Sequence, residues 1–262
     1  MSTASARIES LARLLDDAVL EARLVPMLTQ QGGQALSLED AYAVQLALIG
    51  RRQKRGERVV GMKMGLTSRA KMRQMGVDTP IYGHLTDRMQ VEDGGVIPVS
   101  RLCHPRIEPE IAFLLKADLR GPVTAAQALA AVAGVCPALE IVDSRYQDFR
   151  FALEDVVADN ASAAYFVLGS TLTGVEGLRM DCLGMVMQVN GVVVETGSSA
   201  AVYDHPARSL AEQANMLARH GKSLSAGQIV LSGGATAAVE LHRGDTVTVS
   251  IDGLGMAWCR AR

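Results

Sequence analysis

The sequence is poor in the features that mark most specialised classes. Cysteine is scarce, with four in 262 residues at 103, 136, 182 and 259, no CxxC pair and no histidine at ligand spacing. That excludes a disulfide framework and a zinc module, and reads as isolated buried thiols. Aromatics are only 4%, too few for a single-strand stacking platform. No excess of either charge exists: 26 Lys and Arg face 28 Asp and Glu, so phosphate neutralisation is no basis for nucleic-acid binding. The longest apolar run, Ala128 to Leu139, is 12 residues and contains Pro137, too short for a membrane span. Glu9 falls where a signal peptide would need apolar residues, so a cytoplasmic protein with no membrane partner is expected. No repeat, low-complexity tract or long linker divides the chain.

What is present is 48% apolar residues, ample for one core. The twelve methionines, several in Met62 to Met75, read as core filler. Ile8, Leu11, Leu15 and Val19 recur at helical spacing and predict a helix over Ala4 to Arg23. Ser37-Leu38-Glu39-Asp40 caps a second helix ending near Gly56, and Thr67 or Ser68 caps a short third one stopping at Gly76. A later helix is predicted to open at Ser209, with Glu212 completing its cap, and to close at Gly221. Strands are expected at 58–64, 96–99, 107–115, 137–142, 164–168, 229–232, 246–251 and 254–260. Met185 to Glu195 is a hairpin turning at Asn190-Gly191, because that pair accepts two positive φ angles. Strands and helices do not alternate regularly, so the class is α+β rather than a doubly wound sheet. One catalytic domain spans 1–262, with a helical part over 1–57 and a mostly β core over 58–262.

The chemistry concentrates in a few places. In Ile107-Glu108-Pro109-Glu110-Ile111, an extended backbone puts Glu108 and Glu110 on one face about 7 Å apart. Like carboxylates there repel unless a cation lies between them, and Pro109 forbids an ordinary central ladder position. Glu140 interrupts the otherwise apolar Pro137 to Val142, where an unpaired carboxylate is costly. The alternatives are a salt bridge to an arginine or a hard oxygen site suited to Mg²⁺ or Mn²⁺. Lys63 stands alone among apolar and glycine neighbours in Gly61 to Gly65, either snorkelling to solvent or serving a carboxylate-rich pocket. Val157 to Ser162 is a polar cluster that reads as a cap or turn. Arg243-Gly244-Asp245 reads as a turn between strands, and Ser232-Gly233-Gly234 lacks the lysine of a phosphate loop.

Taken together, IEPE, the later PALE, GMKMGLTS, TPIYG and VADNAS resemble the fumarylacetoacetate hydrolase superfamily from about Ala41 onward. The nearest likeness is to the branch of 2-oxopent-4-enoate hydratases and 4-oxalocrotonate decarboxylases. That resemblance implies a mixed β-sandwich roll with flanking helices and an N-terminal helical part over the site. It implies Glu108, Glu110 and Glu140 as metal ligands and Lys63 as the active-site lysine. It also points to Asp159, Ser162, Gly233, Gly234 and Thr236 as substrate-binding. The segments 63–83, 143–151 and 232–239 are similar to decarboxylases, which implies loss of CO₂ from 2-oxohex-3-enedioate in meta-cleavage degradation of aromatic compounds. Hydration of the dienoate is the alternative, and a non-catalytic oxo-acid-binding partner of a hydratase is disfavoured by the intact carboxylates and lysine. Asn160 stands near where more distant siblings carry a lysine, which argues against acyl-pyruvate hydrolysis. A homo-oligomer, a complex with the matching hydratase and a lid formed by the N-terminal helices complete the expectations.

Overall fold

A computed structural model describes residues 3–30, 35–68, 72–73 and 77–262. The helix expected between Thr67 and Gly76 falls mostly outside the described residues. Two helices come first, α1 (Thr3–Glu21) and α2 (Leu38–Lys54), close to their expected bounds. Ser37 Oγ accepts the Asp40 N–H at 3.0 Å, the cap read from the sequence.

The rest is chiefly sheet. Among the described residues the larger sheet runs β2 (Ile81–Thr86), β1 (Val59–Gly65), β10 (Ile229–Leu231), β5 (Pro105–Leu115), β6 (Val132–Asp143), β7 (Ala163–Leu168), β3 (Gln90–Val91), with β11 (Val239–Glu240) also pairing β5. The second runs β4 (Val96–Ile97), β13 (Gly255–Ala261), β12 (Thr246–Ile251), β8 (Gly184–Val189), β9 (Val192–Ser198). Both mix parallel and antiparallel pairs, so the α+β sandwich expectation holds. Asn190 and Gly191 turn the β8–β9 hairpin with φ of 54° and 79°. Ile107, Ile111, Phe113, Leu139 and Ile141 face Met185, Met187, Val247 and Val249 across the sandwich. Residues alternating with these on β5 and β6 therefore point to the outer face of the larger sheet.

One helical expectation is corrected, and two short helices join it that the sequence did not announce. The helix placed at Ser209 begins at Pro206 and ends at Ala218; His205 caps it, because proline preorganises the first turn. Ser209 lies inside that helix, buried, and donates to Ser232 O at 2.7 Å. The apolar run 128–139 divides between a short helix, Ala125–Ala130, and β6. Leu153–Ala158 forms another short helix before the polar cluster. The thiol expectation also changes: Cys136 and Cys259 are buried, but Cys103 is half-buried and Cys182 exposed. Methionines 62, 64, 89, 180, 185 and 187 are core, as expected.

The N-terminal helices are fastened down. Asp16 of α1, wholly buried, accepts from Arg51 and Arg55 of α2. Gln45 of α2 donates to Tyr82 O at 3.0 Å and Val157 O at 2.8 Å. A lid made of these helices would have to break those buried bonds, so they are a buttress behind β2.

Candidate metal and lysine site

The site grows from one strand pair. In the β5–β6 register Glu108 lies opposite Glu140 and Glu110 opposite Ala138, which puts all three carboxylates on the outer face. Each offers an oxygen within 4.8 Å of the others, and all three side chains are buried. Pro109 sits in a central strand after all, and the reason is local. β5 pairs β10 only at 112–114 and β11 only at 106–107, so its ladder is interrupted between them. The gap is filled by the 232–235 loop, whose Ser232 and Ala235 N–H groups donate to Ile111 O and Pro109 O. N and C=O of one strand residue face the same side, so the missing proline donor falls in the gap.

That loop completes the carboxylate cradle. Gly233 N–H donates to Glu110 Oε2 at 2.7 Å, with φ of 103°. A Cβ on Gly233 would collide with Thr67, and one on Gly234 would collide with the Glu108 carboxylate. These two glycines, expected at a ligand, are required by the protein's own side chains. Lys63 comes from β1, 3% exposed, with Nζ 3.0 Å from Glu140 Oε1. It does not snorkel.

Electrostatically the cluster lacks a cation. Glu110 Oε1 and Glu140 Oε2 are buried with no hydrogen-bond partner among the described residues. Burial, then the charges of Glu140 and Glu108, push the Glu110 carboxyl well above its ordinary range. Glu140 is also pushed up, by burial first, against the opposing charge of Lys63. One lysine does not balance three buried carboxylates. The all-oxygen donor set and its orphaned lone pairs fit a hard divalent ion, with coordination positions left over for a small ligand.

The remaining expected residues are placed differently. Asp159 is wholly buried and holds Arg145, whose Nε donates to Oδ1 at 2.7 Å; burial raises its carboxyl to about 6 despite that partner. Its carboxylate is committed to Arg145. Ser162 closes a turn, Asn160–Ser162, in which three successive residues have φ of 53°, 51° and 57°. Such a run is strained, and Asn160 holds it: its Oδ1 accepts His84 N–H at 2.8 Å and its Nδ2 donates to His84 O at 2.9 Å. Gly83, paired with Lys63 across β1–β2, has no room for a Cβ against Asn160 O. The cluster thus supports the strand beside Lys63. Thr236 does not join the carboxylates: its hydroxyl donates to Ala237 O at 3.0 Å and its methyl packs at Gly197 of the second sheet. The sequence reading missed Gln213, one helical turn beyond Ser209, which is buried with both amide atoms unpartnered. A buried amide at helical spacing from an ordinary serine carries no sequence signal.

The chain is similar to known proteins over most of its length. The fumarylacetoacetate (FAA) hydrolase C-terminal family matches residues 62–261. The chain is 47% identical over 249 residues to a 4-oxalocrotonate decarboxylase of Pseudomonas sp. (strain CF600), covering 95% of this chain and 94% of that one. It is 39% identical over 251 residues to a 2-hydroxyhexa-2,4-dienoate hydratase of Comamonas testosteroni, covering 95% of each. The solved 4-oxalocrotonate decarboxylase from Pseudomonas putida G7, complexed with magnesium and adipate, superposes with a TM-score of 0.95 at 43% identity, covering 98% of each chain.

Proposed function

The chain belongs to the fumarylacetoacetate hydrolase family, and from that premise we propose that it is a metal-dependent carboxy-lyase acting on 2-oxohex-3-enedioate. The observation that carries this reading is the near-full-length identity to a decarboxylase, higher than to the hydratase, over a chain that retains three buried carboxylates and one lysine.

Glu108, Glu110 and Glu140 hold the divalent ion, Mg²⁺ or Mn²⁺, which when bound supplies a Lewis acid for charge on an enolising oxygen. The reaction itself needs few groups. The bond from C5 to the distal carboxyl carbon breaks, CO₂ leaves, and the electron pair runs through the C=C to the 2-oxo oxygen. Lys63 Nζ, a buried cation, stabilises that oxygen as charge develops and delivers the proton that yields 2-hydroxypenta-2,4-dienoate. Gly233 fixes Glu110 through its N–H, and the glycine pair keeps the loop close to the carboxylates.

The chain works as one catalytic unit, its N-terminal helices serving as the buttress. Self-association is supported by the exposed Val192, Val193 and Val194 on edge strand β9. Passage of the enol product to a hydratase bound alongside would limit its tautomerisation in water. Among the described residues no helix is long and apolar enough to cross a membrane. Four unpaired thiols support a reducing, cytoplasmic setting.

The test is a mass balance on purified protein with Mg²⁺ and 2-oxohex-3-enedioate. Release of one CO₂ per diacid, with the dienoate left unhydrated, is the expected result. Conversion of the dienoate to 4-hydroxy-2-oxopentanoate without CO₂ release would make the protein a hydratase.

A further inference from the structure

A second cavity, of about 180 Å³, lies between the two N-terminal helices and the far end of β6 and β7. None of the three clustered glutamates, nor Lys63, lines it. Tyr165, one of its walls, pairs with Ile141, whose side chain points to the opposite face of the sheet from Glu140.

The charges around this cavity do not balance. Five arginines line it against two carboxylates, Glu57 and Asp143. Both carboxylates are already engaged: Asp143 accepts the N–H groups of Cys103 and His104, and Glu57 accepts the Thr86 hydroxyl at 2.7 Å. Two of the arginines are also engaged, Arg55 on Asp16 and Arg145 on Asp159. Arg52 is different. It is only 5% exposed, and its guanidinium makes no hydrogen bond or ion pair among the described residues. The carboxylates near enough to act on it are Glu57, Asp16 and Asp159, each held by another group. Burial and the neighbouring Arg145 charge pull its pKa down against the opposing pull of those three carboxylates, so its charge is only partly compensated. Among the described residues the guanidiniums of Arg88 and Arg101, both exposed, have no ion pair either, and the Tyr165 hydroxyl, near the charges of Arg52 and Arg101, has no hydrogen bond.

A buried cation without a partner is costly, and a fixed guanidinium fork matches a planar or tetrahedral oxyanion. We propose that the cavity walled by Arg52, Arg88, Arg101 and Tyr165 is a binding site for a small dianionic oxyanion, a phosphate or a short dicarboxylate. Its size supports this class. The space is enough for such an ion with some hydration. Arg52 supplies the desolvated contact that fixes the anion, and Arg88 and Arg101 supply attraction at the mouth.

Isothermal titration of the whole, metal-free protein at low ionic strength tests this, with inorganic phosphate in one arm and succinate in the other. The expected result is saturable one-to-one binding of at least one of them, the tighter arm identifying the ligand type. Arg52→Gln and Arg101→Gln should each weaken it by about tenfold or more, while Lys63→Ala leaves it unchanged. Arg101→Gln alters an exposed side chain, so it remains informative if Arg52→Gln fails to fold. The proposal fails if neither anion saturates, if binding persists undiminished in Arg101→Gln, or if Lys63→Ala abolishes it. Decarboxylase activity is not the readout, so this result stands apart from the assignment of the reaction.

Discussion

In the proposed reaction Lys63 is the side chain that meets the developing charge, and its ion pair makes its contribution separable. Replacing it by alanine removes a positive donor at the reacting oxygen, and kcat should fall by about 10²–10³. Because Nζ lies 3.0 Å from Glu140 Oε1, the lysine would also compete with a metal ion for that oxygen. Metal affinity in Lys63→Ala, measured by titration with Mn²⁺, should therefore hold or rise while kcat collapses. A raised KM with normal kcat would show uniform binding instead. His84 carries a different expectation. Burial, helped by the charge of Lys222, lowers its pKa from 6.5 to about 4. The unfolded chain binds this proton below about 6.5 and the folded protein only near 4, so this contribution to stability is full above 6.5 and is lost as pH falls toward 4. The loss is about 3 kcal/mol at most. Urea midpoints at pH 7 and pH 4.5 should differ less in His84→Gln than in the parent protein.

At the scale of elements, the turn at 160–162 and the Arg145–Asp159 pair act as one support for the strand carrying Gly83. Arg145→Ala would leave Asp159 buried without its cation. Loss of about 3–5 kcal/mol is expected in chemical denaturation, with the unfolding midpoint as the measure. Elements also show what the sequence could and could not disclose. Alternation along Glu108-Pro109-Glu110 placed two carboxylates on one face, and the apolar setting of Glu140 marked it as requiring a partner. Both are local signals, and both hold. Ser37 and Asn190-Gly191 were legible for the same reason. The surroundings of Asp159, Ser162 and Thr236 were not legible, because a polar side chain looks the same in sequence whether it faces a ligand or another chain segment. Asp159 is committed to Arg145 by a fold contact, and Thr236 to Ala237 by its backbone, which no spacing announces. β2 escaped because Gly83 breaks its alternation, and that glycine exists only because Asn160 O presses against it.

For the whole molecule, an uncompensated carboxylate cluster in the larger sheet couples metal occupancy to folding. A cation that binds the native state and not the unfolded one stabilises by about 2.7 kcal/mol at a hundredfold excess over Kd. For a chain of this size each kcal/mol moves Tm by roughly 2–4 °C. Mg²⁺ should therefore raise Tm by several degrees and chelator should reverse it. Glu110→Gln should abolish the shift while retaining a cooperative transition, since a neutral amide relieves the repulsion that Glu110 meets from Glu140 and Glu108.

The interrupted ladder beside Pro109 has a consequence for how this protein can change. The metal-facing glutamates belong to two continuous strands, whereas the 232–238 segment crosses between β10 and β11 and touches them through only a few backbone and glycine contacts. Residues 236–238 can vary in side chain with little disturbance to Glu108, Glu110 or Glu140, provided Gly233, Gly234 and the Ala235 N–H bond to Pro109 O stay. The carboxylates are thus bordered by a short stretch that can be exchanged without remaking either strand that carries them.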